Sequence, residues 1–374
     1  MALEDEIKAA RMQIVPDGYD MSLGELISLY KQGELVINPE FQRYYRWEDW
    51  QKSKFVESIL LGIPVPPVFV FQTEEGIWEL VDGLQRLSTI FQLAGVLKTP
   101  EGNVMEALVL DGTKYLPSLD GKRWNAPQDA NEEDPNGPDI LSGAQQIDIK
   151  RARMRVEILK KGSDPFTKFE LFQRLNTGGS SLSEQEVRNC VMVMINPDFY
   201  RWVSELSRSE AFAQTASQSL TAERRQKPIE LVLRFIVFRH VPYTAGIDVH
   251  EYLDAGTINL ANRADFDREQ ETRIFTRTFE LLNNALGGDA FKRYDADRFQ
   301  GAFSLSAFEF IAIGVARNID TIEALGDKEK IQFVRERVQS VWTAENFRRY
   351  SGGGVRGTTR VMNLLPHGAA FFQP

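Results

Sequence analysis

Residues 78–95, WELVDGLQRLSTIFQLAG, change their period half-way. The start, Trp78–Val81, reads as a strand, whereas Leu84, Leu87, Ile90, Phe91 and Ala94 recur on one face of a helix. Between them stands Asp82-Gly83-Leu84-Gln85-Arg86. A turn needs the glycine, but it does not need an acid, an amide and a cation. A strand–glycine–helix junction presents backbone N–H groups without helical partners, and the helix dipole adds partial positive charge there. Phosphate binds such places readily. Arg86 could add a bidentate contact, Gln85 could hold a ribose, a base or a water, and Asp82 could hold a metal or orient a water. The plain alternative is that Asp82 caps the helix and Arg86 forms a salt bridge. The sequence leaves both open.

Working outward, Ser22-Leu23-Gly24-Glu25 reads as a capping box that opens a helix closed by Gly33. "ELVINPEF" reads as a strand running into a turn. "EDWQKSKFVESILLG" reads as a helix with Phe55, Val56, Ile59 and Leu60 on one face. "PVPPVFVFQ" and "GIWELV" form two strands joined through "TEEG". A further strand pair is expected at "ALVLDG" and "TKYLPSL", turning at Asp111-Gly112. Residues 125–143 are acidic and rich in Pro, Gly, Asn and Asp, which predicts a long mobile loop. "IDIKRARMRVEIL" (147–159) reads as a strand with Arg151, Arg153 and Arg155 on one face and an apolar opposite face. That basic face suits a solvated edge or an anion contact. After the capping box at Ser183–Glu186 the pattern is mostly helical, as in "PIELVLRFIVFRHV" and "LSAFEFIAIGVARNI". The fold class is therefore α+β, with a mixed-sheet domain over 1–192 and an all-α domain over 193–374. The tail "RRYSGGGVRGTTR" is glycine-rich and basic.

Composition bounds the function. The 374 residues are 43% hydrophobic and 26% charged, enough for a real core. The net charge of -9 argues against a chain-wide electrostatic grip on nucleic acid but leaves room for a local basic groove. No apolar run approaches the roughly 20 residues of a membrane span, and "MALEDEIKAARMQ" lacks the character of a secretory signal, so a cytoplasmic location with no membrane partner is expected. Cys190, the single cysteine, lies in an apolar helical pattern and reads as buried and inert. The chain lacks a Walker loop, a G-x-S-x-G elbow and an H-E-x-x-H pair. His240, His250 and His367 fit structural roles better than metal binding.

Two further segments share the polar character of the junction, each with its own Gln-Arg pair. "NPEFQRYYRW" (38–47) offers Gln42, Arg43 and Arg46, or else an aromatic cluster of Phe41, Tyr44, Tyr45 and Trp47. "ELFQRLNTGG" (170–179) ends in a glycine pair that permits an anion nest, or else a left-handed helix cap at Gly178.

In this order the three segments resemble the N-terminal domain of GmrSD-type modification-dependent restriction systems, over roughly residues 22–192. That family is related to the ParB/sulfiredoxin-like fold, whose members bind nucleotides or phosphorylated ligands. The resemblance implies binding of a nucleoside triphosphate with Mg²⁺, and hydrolysis of it, in a restriction or anti-phage defence system. The family's Asp-Gly-Gln-Gln-Arg motif falls on Asp82, Gly83, Leu84, Gln85 and Arg86, with Leu84 replacing the first glutamine. A ParB-like Glu-Asn-x-Gln-Arg segment falls on Glu170, Leu171, Gln173 and Arg174, with Leu171 in place of the asparagine. Asn176, Thr177 and Gly178 match the restriction family's Asn-Thr-x-Gly signature. By this resemblance Asp82, Gln85 and Glu170 carry the chemistry, and Asp82 and Glu170 hold the metal. Gln42, Arg43, Gly83, Arg86, Gln173, Arg174, Asn176, Thr177 and Gly178 hold the nucleotide. Many relatives carry a C-terminal HNH nuclease domain, but the three histidines here do not sit in such a motif, so no HNH nuclease is expected. DNA and a separate nuclease or defence subunit are the expected partners, and a homo-oligomer is left open. The alternatives are a non-catalytic DNA-sensing or partner-binding subunit and a ParB-like domain that cuts DNA itself.

Overall fold

The structure, a computed structural model, describes residues 16–37, 45, 47–73, 75–125, 139–159, 183–243 and 246–374. The chain forms two compact units, residues 1–180 and 181–374. The boundary expected at 192/193 falls inside a helix, Glu184–Ile195, that packs with the second unit. Among the described residues no helix is long and apolar enough to cross a membrane.

The first unit is built on a mixed five-stranded sheet. Its elements are β1 (Pro16–Ser22), α1 (Leu23–Gln32), β2 (Leu35–Val36), α2 (Asp49–Leu60), β3 (Val68–Gln72), β4 (Trp78–Asp82), α3 (Leu84–Leu93), α4 (Gly143–Arg151) and β5 (Arg153–Leu159). The strand order is β1-β5-β3-β4-β2. β1 runs antiparallel to β5, β5 parallel to β3, β3 antiparallel to β4, and β4 parallel to β2. Met154, Val156 and Ile158 alternate into the core with Val68, Val70 and Leu80, as the period-2 pattern requires. The expected start of α1 holds: the Ser22 hydroxyl accepts the Glu25 N–H at 3.1 Å. Gly33 ends that helix in a left-handed conformation.

Two sequence expectations fail. Residues 107–119 form no strand pair. The Ser53 hydroxyl accepts the Asp111 N–H at 2.8 Å, and the buried Glu57 carboxylate accepts the Tyr115 N–H at 3.0 Å. Side chains of α2 thus replace ladder partners. The Thr113 hydroxyl also donates to Glu57, and this bond holds the Glu57 carboxyl below its ordinary range. Residues 147–151 are helical rather than extended, because Ser142 and Gln145 cap α4 reciprocally and the strand starts only after Ala152. Of the expected acidic loop, residues 126–138 lie outside the described residues. Its ends are tied, since the Arg123 N–H donates to Asp139 O at 2.7 Å and the Leu141 N–H to Arg123 O at 2.9 Å.

The second unit is helical: α5 (Glu184–Ile195), α6 (Pro197–Leu206), α7 (Glu210–Thr215), α8 (Leu220–Arg224), α9 (Lys227–His240), α10 (Val249–Asn262), α11 (Arg268–Leu286), α12 (Leu305–Arg317), α13 (Ile319–Glu323), α14 (Asp327–Val341), α15 (Glu345–Tyr350) and α16 (Gly357–Phe371). A small hairpin, Arg293–Asp295 with Arg298–Gln300, precedes α12. The Ser183–Glu186 capping box opens α5 as expected. Cys190 is buried in α5, and burial pushes its thiol well up. Phe212, Phe235, Phe275 and Phe279 form an aromatic core with ring centroids 4.5–5.5 Å apart. α12 and α16 cross almost backbone to backbone. A Cβ on Gly314 would lie 2.6 Å from Gly368 O, and one on Gly368 would lie 2.5 Å from Phe310 O.

This core also buries charges, each paired. Glu309, fully buried, accepts from Arg234 Nη1 at 2.9 Å and Arg360 Nε at 2.7 Å. Glu230 accepts from Arg234 Nε at 2.7 Å and Lys227 Nζ at 2.8 Å. Burial opposes its ionisation, yet these cations hold its carboxyl down at about 2. Arg188 on α5 donates to Asp254 on α10 at 2.6 Å. There burial wins, and the Asp254 carboxyl is pushed up to about 6 against the Arg188 charge.

The Asp254 shift fixes a pH dependence. Between its ordinary value of 3.8 and about 6 the folded protein holds a proton that the unfolded chain has released. The stability contributed by this group is therefore highest below that window and falls as pH rises through it. Relative to Asp254→Asn, the wild-type chain should gain on the order of 2–3 kcal/mol of stability between pH 7.5 and pH 4, read from unfolding midpoints at each pH. A wild-type-to-variant difference that does not move with pH contradicts it.

Candidate functional site

β4 ends at Asp82, which pairs with Phe69 of β3, and α3 begins two residues later. Gly83 makes the change with φ 101 and ψ 16, a left-handed conformation that disfavours side chains. Space forbids one as well, because a Cβ there would lie 2.4 Å from Val68 Cγ1. The Leu87 N–H then closes the first helical bond on Gly83 O at 2.9 Å.

Asp82 and Arg86 therefore stand one helical turn apart. Arg86 Nη2 donates to Asp82 Oδ2 at 2.8 Å and to the Pro67 carbonyl at 3.0 Å, so the guanidinium is pinned to the lead-in of β3. Asp82 does not cap the helix: the cap residue is Gly83, and no side chain bonds there. Of the plain readings, the salt bridge forms and the acidic cap does not. The Arg86 Nε–H is buried and finds no acceptor among the described residues. Such a donor is uncommon in a folded protein.

Gln85 faces the other way, and its Oε1 accepts the Trp47 N–H at 3.1 Å. Thr89 and Gln92 continue its row. The Tyr45 hydroxyl donates to Gln92 Oε1 at 2.7 Å and lies 3.4 Å from the Thr89 hydroxyl. Burial pushes the Tyr45 phenol well above its ordinary range, so it remains a neutral donor. Residues 45 and 47 are thus docked on α3, with Trp47 packed edge-on to Phe55. The sequence reading missed this row, although Gln85, Thr89 and Gln92 at i, i+4 and i+7 carry its signal. Leu84, where the motif departs from its family, is half-buried.

β3 and β5 both start at the end of the sheet where β4 finishes. The start of β5 therefore lies two strands from Asp82. A groove of about 360 Å³ opens there between Gly62–Val65 on one side and Arg151–Met154 on the other. Arg151 and Arg153 are exposed and form no ion pair among the described residues. Arg155, the third arginine of the expected basic face, is bound to Glu157 at 2.9 Å.

Asp82, Gly83, Gln85 and Arg86 are thus placed together. Gln42, Arg43, Glu170, Gln173, Arg174, Asn176, Thr177 and Gly178 lie outside the described residues, as does the anion nest expected at the glycine pair. Among the described residues no three His, Cys, Asp or Glu side chains converge on a metal site. His240 Nε2 lies 2.7 Å from Glu271 Oε2, and His250 contacts Glu184.

Residues 23–193 match the family model described as GmrSD restriction endonuclease, N-terminal domain. This stretch is a GmrSD-type N-terminal domain. The domain supports a role for the chain in a restriction or defence system. No curated protein and no solved structure matches the chain.

The strand-to-helix junction of the GmrSD-type domain makes a direct stability prediction. Gly83→Ala combines an unfavourable left-handed residue with overpacking against Val68. It should destabilise the protein by roughly 2–5 kcal/mol, seen as a lower melting temperature. An unchanged melting temperature would show that β4 and α3 relax freely around the new methyl group.

Proposed function

We propose that the GmrSD-type domain has a ParB/sulfiredoxin-like fold and binds a nucleoside triphosphate, carried with its own Mg²⁺, at the junction of β4 and α3. The observation that carries this reading is Arg86: a half-buried guanidinium at a helix N-terminus without a side-chain cap, with its Nε–H lacking an acceptor among the described residues. A phosphate oxygen would satisfy that donor and meet the favourable end of the helix dipole. The groove at the start of β5, two strands away, falls within the roughly 300–1,000 Å³ range of small-molecule sites, and its charged lining is Arg151 and Arg153 with Asp148. By family resemblance Gln42, Arg43, Gln173, Arg174, Asn176, Thr177 and Gly178 complete the phosphate contacts. Asp82 and Glu170 orient the attacking water or meet the Mg²⁺, and Gln85 supports that arrangement through the Trp47 N–H. Such chemistry works by positioning and charge neutralisation rather than by a covalent intermediate. Hydrolysis would gate contact with DNA or with a separate nuclease subunit.

A second reading, a non-catalytic sensing or partner-binding subunit, is favoured by the same ion pair. Asp82 gives one oxygen to Arg86, and Gln85 is held by a backbone N–H, so both polar groups already have internal partners.

Calorimetry with a panel of Mg²⁺-triphosphates tests the binding. Arg86→Ala should weaken it by roughly 10- to 100-fold, the equivalent of one charged hydrogen-bond partner. Affinity that is unchanged in that variant, or absent from the wild-type chain, removes the site. Phosphate release, with and without DNA, separates the two readings. Asp82→Asn should abolish release while keeping binding, whereas a wild-type chain that binds and never releases phosphate supports the sensing subunit.

A further inference from the structure

Residues 346–374 carry four arginines and no aspartate, glutamate or lysine, in a chain of net charge -9. One of the four, Arg360, is bound to the buried Glu309. The other three are Arg348 and Arg349 in the last turn of α15 and Arg356 at the start of α16. All three are exposed, and none has an acidic partner among the described residues.

The fold gathers these arginines on one corner of the second unit. α15 packs against α16. The Tyr350 ring stacks on His367 with centroids 6.3 Å apart and planes 17° from parallel. Asn346 Nδ2 lies 3.5 Å from His367 Nδ1. The connecting loop stands clear of the protein, since no atom lies within 4 Å of a Cβ built on Gly352, Gly353 or Gly354. No side chain caps α16. Acids on neighbouring elements are Glu345, at the start of α15, Asp248 and Glu251, at the start of α10, and Glu184 of α5, which contacts His250; a Cβ built on Gly357 would lie 3.1 Å from Val249 of α10. Asp248 is occupied in capping α10 through the His250 N–H at 2.8 Å.

We propose that this corner of the second unit is a contact surface for the phosphate backbone of duplex DNA. Guanidinium forks suit phosphate oxygens. A bare glycine loop lets a backbone approach closely, and a flat ring pair lies alongside. Apart from Tyr350 and Val355, residues 348–357 are arginine, glycine and serine, without the run of long apolar side chains with which helices enter a membrane surface. Contacts of this kind position a protein on DNA without reading its sequence.

The test is fluorescence anisotropy of a labelled 30-base-pair duplex with the full chain, without nucleotide, across a salt series. Replacing Arg348, Arg349 and Arg356 together by alanine should weaken binding at least tenfold near 100 mM salt and lower the log–log salt slope by about 3, close to one unit per lost phosphate contact. The triple lysine variant should stay within about threefold of wild type, because the charge is kept. Equal affinity and slope in wild type and the alanine variant overturn the proposal, as does a wild-type chain that fails to bind at 50 mM salt. Tighter binding to an RNA duplex overturns the DNA assignment. The three side chains make no hydrogen bond within the unit among the described residues, so melting temperatures should match. Should the triple variant melt early, Arg348→Ala and Arg356→Ala are measured singly, and each must lower the slope by about 1. Nucleotide is absent throughout, so failure of the triphosphate reading leaves this result standing, and the reverse holds too.

Discussion

Everything at the candidate site depends on one backbone constraint: the chain must pass from β4 into α3 through a single residue lying directly on Val68. Only glycine meets both demands, the left-handed φ and the 2.4 Å clearance. Once the turn is made there, Asp82 and Arg86 stand one helical turn apart and pair. The Pro67 carbonyl fixes the guanidinium from below. Glycine in this motif is thus explained by packing alone. The acid and the cation are not: a half-buried pair of this kind adds little net stability, yet it leaves a buried donor without an acceptor among the described residues. The fold claims Gly83, and the chemistry must be sought at Asp82 and Arg86.

The second unit answers to a different constraint. Its central helix α12 approaches α16 at Gly314 and Gly368 so closely that no side chain fits between them. Across the same pair of helices, Glu309 accepts from Arg360. A slip of one helical turn would press a side chain into the glycine contact and leave Glu309 short of a cation in the core. Glu309 would then keep only Arg234, and a buried charge stripped of one partner is destabilised, whereas the intact set adds little stability over an apolar substitute. The pair therefore acts on register more than on stability. Register matters for α16, because its first turn carries Arg356 and its tether holds the arginine corner in place.

Much of this was legible in local pattern. The Ser22 and Ser183 caps, the Gly33 stop, the amphipathic α2, the β3–β4 pair and the alternation of Met154, Val156 and Ile158 all follow from periods and caps of a few residues. The failures share a cause. Residues 107–119 read as a hairpin because their apolar spacing and Asp-Gly turn fit one, yet the Asp111 and Tyr115 N–H groups bond to Ser53 and Glu57, each 58 residues away. α4 was hidden because only Ile149 of its nine residues is buried, so it has no apolar stripe to detect. At the site, the sequence placed Asp82, Gly83, Gln85 and Arg86 together but could not choose between cap and salt bridge. That choice was made by Pro67, a residue with no side-chain signal at all.

Leu84 bears directly on what this junction can do. It occupies the first position of α3, where the related motif has an amide, and it is half-buried rather than part of the core. The neighbouring amide, Gln85, cannot stand in for it, because its oxygen is committed to the Trp47 N–H on another face of the helix. The groups suited to holding phosphate do not involve this position: they are the backbone at the uncapped helix start and the Arg86 guanidinium. Groups suited to moving a proton or ordering a water are fewer, since Asp82 gives one oxygen to Arg86. Loss of an amide here therefore weighs on turnover more than on binding. In the proposed site a bound phosphate would take the Arg86 Nε–H, while the Nη2 pair with Asp82 stays in place and orients the guanidinium. The contact that argues for an inert subunit is thus compatible with phosphate binding, and it is turnover, which needs the carboxylate, that the pair restrains.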